Sequence, residues 1–190
     1  MFGKRKADSS APTVPSFDDL DIDPETGLVA PARFEEALQK EIARGLRYGS
    51  SSALALFEVA VAEKATNSPL PSPAPFVAEI LRKAARASDV VARVAPQAFA
   101  VLLVEARAEG AKQFTERVRT SIGSHAYARR QDGSGLFARA WAGVAEWNPS
   151  VDSVGAYAAA AQHALSATYT SYEAAQEWFR GEGLNKPFAL

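Results

Sequence analysis

The stretch VVARVAPQAFAVLLV, residues 90–104, does most to limit what this chain can become. Two apolar, β-prone runs, 90–94 and 98–104, meet across a connection centred on Pro96 and Gln97. Parallel strands need a crossover of a dozen or more residues, whereas so tight a connection closes an antiparallel hairpin. An enzyme would place glycines and carboxylates at a turn of this kind. Here the turn carries Ala95, Pro96, Gln97 and Ala98, which offer neither a phosphate cradle nor a metal ligand.

The sequence around the hairpin alternates helical and extended patterns. Phe34, Leu38, Ile42 and Leu46 recur on one face and predict a helix over about 32–48, ended by Gly49. ALALFEVAVA (53–62) predicts a first strand. Pro69, Pro71, Pro73 and Pro75 follow at every second position, so that 66–75 reads as an extended loop. The next helix carries Phe76, Ile80 and Leu81 as its apolar residues, and Arg82, Lys83 and Arg86 as its polar ones. After the hairpin, Ala111, Phe114, Val118 and Ile122 line an amphipathic helix over 108–122, with Glu116, Arg117 and Arg119 largely off that face. SHAYARRQDGSG reads as turn material, LFARAWAGVAEW (136–147) as a strand, and an alanine-rich helix starts after Asp152 or Ser153 and bends or ends near 168–171. The expected fold is an α+β sandwich, with a mostly antiparallel central sheet flanked by helices. Residues 1–20 read as a flexible leader, 21–175 as one domain and 176–190 as a tail.

Composition excludes several functions. The absence of cysteine removes disulfides, thiol nucleophiles and thiolate metal sites. A net charge of −1 gives no general attraction to nucleic acid or anionic membranes. No apolar run approaches the roughly 18–20 residues of a membrane span, and no hydrophobic stretch follows the basic Lys4, Arg5 and Lys6. The expected setting is soluble and cytoplasmic.

With these pieces in place, the chain resembles the GGDEF domain, the module that makes cyclic di-GMP from two GTP molecules. DPETGLVAPARFEEALQKEIARGLRYG is similar to the family's opening D-x-L-T-G-L-x-N-R-R-x-F and its first helix. SDVVARVAPQAFAVLLVEARAEGAKQFTERVR resembles D-x-V-A-R-x-G-G-D-E-F-A-V-L-L and the helix after it. AWAGVAEWNP resembles the S-I-G-V-A strand, and AAAAQHAL the A-D-x-A-L-Y helix. The likeness covers about residues 21–172 and implies a nucleotidyl-cyclase-like α/β sandwich.

The same resemblance implies a degenerate member. The five signature positions fall at Ala95, Pro96, Gln97, Ala98 and Phe99, and only the core-facing phenylalanine survives. Ala95 and Pro96 add atoms where the family's glycines let phosphate approach the backbone. Gln97 and Ala98 cannot supply the acidic pair that works with Mg²⁺. The first strand offers Glu58 and Ala60 where the family has two aspartates, and the proline-rich loop replaces the family's guanine-reading segment. Tyr169 and Glu173 stand at the family's phosphate-gripping Lys and Arg. The resemblance therefore implies no catalytic residue, no metal and no cofactor.

A second family feature is retained. R-x-x-D, the inhibitory-site motif five residues before the signature, is present as Arg86 and Asp89. The family's further arginine on the helix after the hairpin falls at Arg117, and a less general one on the first helix of a neighbouring domain falls at Arg44. Arginine forks match guanine O6 and N7 and stack on bases, and a carboxylate accepts from the guanine N1–H and N2–H₂ edge. The implied ligand is cyclic di-GMP, as an intercalated pair held by Arg86, Asp89 and Arg117 of one chain, with Arg44 of another as a secondary contact. Binding would then control dimerisation or partner docking. Without the register, R-x-x-D reads equally as an i, i+3 ion pair, or Asp89 as the organiser of the turn into the strand. The alternative function is a ligand-independent interaction module on the same fold. Trp141 and Trp147 share a face and read as core or rim, and His125 and His163 as surface or packing residues.

Overall fold

The structure, a computed structural model, describes residues 21–61 and 70–169. The elements run α1 (Pro31–Tyr48), β1 (Ser52–Val61), α2 (Ala74–Ala84), β2 (Val90–Ala95), β3 (Ala98–Val104), α3 (Ala108–Ser124), β4 (Ala128–Arg129), β5 (Gly135–Leu136), β6 (Ala138–Glu146) and α4 (Val154–Tyr169). The expected leader 1–20, the expected tail 176–190, Glu173 and part of the proline-rich loop lie outside the described residues.

The main sheet has the order β2-β3-β1-β6, and every pairing in it is antiparallel. β1 is central, with nine of its ten residues buried, and alternate residues serve opposite cores. Leu54, Leu56 and Ala60 pack with Phe34, Leu38 and Ile42 of α1 and Tyr157, Ala161 and Leu165 of α4. Ala53, Ala55, Phe57 and Val59 pack with Val77 and Leu81 of α2 and Phe114, Val118 and Ile122 of α3. The fold is thus an α+β sandwich, with α1 and α4 on one face of the sheet and α2 and α3 on the other.

Small residues bring the layers close. A Cβ on Gly143 of β6 would collide with the α4 backbone at Ala161 O and Leu165 N, so the alanine-rich helix lies directly on the strand. Gly45 of α1 meets the Trp147 indole in the same way. Trp147 donates its Nε1–H to Val151 O at 3.1 Å, and both Trp147 and Trp141 belong to the α1/α4 core.

One expectation is corrected. The polar stretch before β6 contains β4, which pairs with β5 and leaves Phe137 exposed between β5 and β6. A two-residue strand has no periodicity to read. On α2 the buried stripe is Ala74, Val77, Ala78 and Leu81, while Phe76 and Ile80 are only half-buried. The i, i+3, i+4, i+7 stripe faces the sheet, and Phe76 and Ile80 lie on its flank, where they pack half-buried against the same core.

Candidate functional site

The two ends of the β2–β3 hairpin carry the two groups of residues singled out by the sequence. At the turn, Ala95 pairs with Ala98 around the two-residue loop Pro96–Gln97. Proline fixes a negative φ at the first loop position, and Gln97 also avoids positive φ, unlike the turns that best match strand twist. β2 compensates with a register shift between Arg93 and Ala95, which leaves Val94 as an extra residue.

Both loop carbonyls are held by the protein. Pro96 O accepts Nη2–H of Arg93 at 2.8 Å, and Gln97 O accepts the Val59 N–H of β1 at 2.9 Å. Ala98 faces Glu58 across the β1–β3 ladder, and Trp141 flanks Glu58 on the other side. Glu58 is 3% exposed, and burial pushes its carboxyl up to about 7. Phe99 is buried in the α2/α3 core, as its expected inward orientation requires. Among the described residues no three His, Cys, Asp or Glu side chains converge to hold a metal ion.

Arg93 escaped the sequence reading. It is 6% exposed, and its Nη1 meets Asp23 Oδ2 at 3.2 Å and Glu25 Oε2 at 2.5 Å. Burial alone would raise the Asp23 carboxyl, but hydrogen bonds from Thr26 and Arg93 and the guanidinium charge outweigh it and hold the group below its ordinary value. The Asp23–Leu28 turn is closed by Asp23 N–H to Leu28 O at 2.8 Å and by Gly27 at φ 65°, and Arg82 donates to the Thr26 carbonyl. Val29 then bridges to the edge of β2. The N-terminal turn is therefore strapped to the hairpin turn through one guanidinium. A charged residue inside the apolar run VVARVA was the signal for it.

At the opposite end of the hairpin, Asp89 organises the chain as it enters β2. Its Oδ2 accepts the Arg86 N–H at 2.8 Å, its Oδ1 accepts the Val104 N–H at 3.2 Å, and its own N–H donates to Arg86 O at 3.0 Å. Arg86 lies just past the α2 C-cap Ala85, in this turn rather than on the helix. Arg86 is exposed, and its guanidinium has no side-chain partner among the described residues. The i, i+3 ion pair is not what the motif forms.

Arg117 stands on the solvent side of α3, its Cζ 6.0 Å from the Phe114 ring centroid. It shares a groove with Lys83 and Ala84, which sets it against the last turn of α2, two residues before Arg86. Arg44 belongs to the other helix layer. Its guanidinium pairs with Glu105 at 2.8 Å and Glu41 at 3.6 Å. Glu105 has φ 55° and follows Val104, the residue that holds Asp89, so Arg44 lies at the same end of the sheet as Arg86 and Asp89. Arg44 does not contribute a free guanidinium. His125 is tied to Ser121 O at 3.0 Å and His163 is exposed.

The family profile described as diguanylate cyclase, GGDEF domain, matches residues 76–173, just over half of the chain. The chain belongs to the GGDEF family. Solved structures with the GGDEF fold agree. The diguanylate cyclase SiaD from Pseudomonas aeruginosa, in complex with its activator SiaC, is 27% identical with a TM-score of 0.68 over 79% of this chain. This chain spans 58% of the SiaD chain's length. The GGDEF domain of DgcB from Caulobacter crescentus, in complex with c-di-GMP, is 19% identical with a TM-score of 0.71, covering 80% of this chain and 88% of that one. The FimX GGDEF domain from P. aeruginosa is 19% identical with a TM-score of 0.58, covering 77% and 94%. The last two likenesses speak for the fold alone. Curated protein sequences give no significant match. No described helix is long and apolar enough to cross a membrane.

Proposed function

We propose that this GGDEF domain is a catalytically inactive, cytoplasmic receptor for cyclic di-GMP, bound through Arg86, Asp89 and Arg117. The observation that carries this reading is the contrast within R-x-x-D. Asp89 is fixed by two backbone N–H groups, each carboxylate oxygen keeping a further lone-pair direction, while the neighbouring Arg86 guanidinium is exposed and has no side-chain partner among the described residues. An acceptor held in place beside an exposed donor fork suits the two hydrogen-bonding edges of guanine. Arg117, from the adjoining helix, pairs with no carboxylate among the described residues and suits a phosphate or the second base.

Inactivity is supported by the turn end of the hairpin. Glu58 faces Ala98 where a second carboxylate would be needed, and burial raises its carboxyl to about 7, which disfavours the charged form. The residues present do not fit a divalent cation, and Pro96 has no N–H to offer a phosphate. The receptor takes no cofactor. An intercalated ligand pair would join two chains if Arg44 of the second chain released Glu105. A ligand-independent interaction module is the second reading, favoured by Arg44 already being occupied within its own chain.

Isothermal titration with cyclic di-GMP tests the proposal. Saturable binding near two ligands per chain, lost in Arg86→Ala and Asp89→Ala, is the expected result. No heat at high ligand concentration would leave the interaction module as the reading. Light scattering at saturation reports whether the ligand joins two chains.

A further inference from the structure

Phe76, Ile80 and Val118 floor a groove of about 560 Å³ between α2 and α3, and Lys83, Arg117 and His125 stand at its rim. Phe76 and Ile80 are the large, half-buried apolar residues on the flank of the buried stripe of α2. Glu79, the one carboxylate on the lining, is already bound to Lys83 at 2.5 Å, which leaves Arg117 unneutralised. An apolar floor beside an unpaired cation suits a segment that presents apolar side chains flanked by carboxylates.

The chain contains such a segment beyond α4. In EWFRGE, residues 177–182, Trp178 and Phe179 stand between Glu177 and Glu182, with Arg180 beside them. The topology brings this segment to the correct end of the domain. α4 crosses β6 at Gly143 and runs on toward the end where β1 finishes at Val61 and β6 begins at Ala138. α2 starts and α3 finishes at that same end. At full extension residues 170–176 would reach about 24 Å, enough to pass from the α4 face of the sheet to the α2/α3 face, a distance of about two helix diameters or 20 Å.

We propose that residues 177–182 dock in the α2–α3 groove, setting Trp178 and Phe179 on Phe76 and Ile80 and a glutamate on Arg117. The tail then competes with the cyclic dinucleotide for that arginine. The docking stands on the groove and the sequence of the segment. Its regulatory consequence rests on the receptor reading above.

The test compares the full chain with its Trp178→Ala/Phe179→Ala double variant by amide hydrogen exchange, at two protein concentrations tenfold apart, and by titration with cyclic di-GMP. Faster exchange of 76–84 and 117–125 in the double variant is the expected result. A tail seated about nine-tenths of the time weakens apparent affinity about tenfold, so the variant binds about tenfold more tightly. Identical exchange in the two chains overturns the docking, whatever the ligand does. Protection that grows with concentration and persists in the variant assigns the groove to a second copy and also overturns it. Faster exchange with no ligand binding in either chain upholds the docking and removes the receptor reading.

Discussion

The two ends of one hairpin have opposite characters. At the Pro96–Gln97 end, the polar groups are turned inward: both loop carbonyls accept hydrogen bonds from the fold, Arg93 is buried between carboxylates, and Glu58 is covered. At the Asp89 end, the backbone is equally well satisfied, yet Arg86 is exposed and its guanidinium has no side-chain partner among the described residues. A turn whose donors and acceptors are consumed by its own chain serves as scaffold. At the other end one side chain fixes the backbone, and its neighbour's guanidinium faces solvent.

The largest effect is expected at the closed end. Arg93→Ala leaves Asp23 buried without its cation and should cost about 3–5 kcal/mol, a fall of roughly 10 °C in Tm for a domain of this length. Thermal and urea unfolding measure it, and a loss under 1 kcal/mol would show that the strap between the N-terminal turn and the hairpin is not holding the fold.

Glu58→Gln should act in the other direction. The folded state raises this carboxyl from 4.5 to about 7, so it favours the protonated form. Its contribution is full below about pH 4.5 and is lost as pH climbs through 7. Removing the titration should leave stability unchanged at pH 4 and raise it by up to about 3 kcal/mol at pH 8. Urea midpoints across that range give the answer, and parallel pH profiles for the two proteins would exclude a buried, neutral Glu58.

Smaller stability changes are expected at the open end, together with larger binding changes. Asp89→Ala removes the acceptor of two backbone N–H groups and should cost about 1–2 kcal/mol. Arg86→Ala should alter stability by less than about 0.5 kcal/mol while weakening cyclic di-GMP at least about tenfold. If Arg86→Ala destabilised the domain as much as Asp89→Ala, the contrast between fixed acceptor and free donor would collapse.

Much of this architecture was legible in the sequence, because periodicity reports which face is buried. Phe34, Leu38 and Ile42 marked α1, Phe114, Val118 and Ile122 marked α3, and the short connection at Pro96 dictated the hairpin. The apolar residues of α2 were legible, but not that Ala74, Val77, Ala78 and Leu81 would be buried more fully than Phe76 and Ile80, which depends on how closely the helix sits on the sheet. In the candidate site, register with the family singled out Arg86, Asp89 and Arg117. The pairing of Arg44 with Glu105 was not found, since the two are 61 residues apart and joined only by the packing of α1 beside the end of β3.

By itself, the sequence determined the order of the elements, the hairpin and a turn of Ala95, Pro96, Gln97 and Ala98 without glycine or carboxylate, since these depend on local pattern and residue chemistry. Only the tertiary structure decided which charges are spent and which are free. Arg93 and Arg86 are both arginines near one strand, but a guanidinium enclosed by Asp23 and Glu25 has exchanged water for buried carboxylates. The one left in solvent at Arg86 has made no such exchange, and whether an ion is desolvated depends on what the whole chain packs around it.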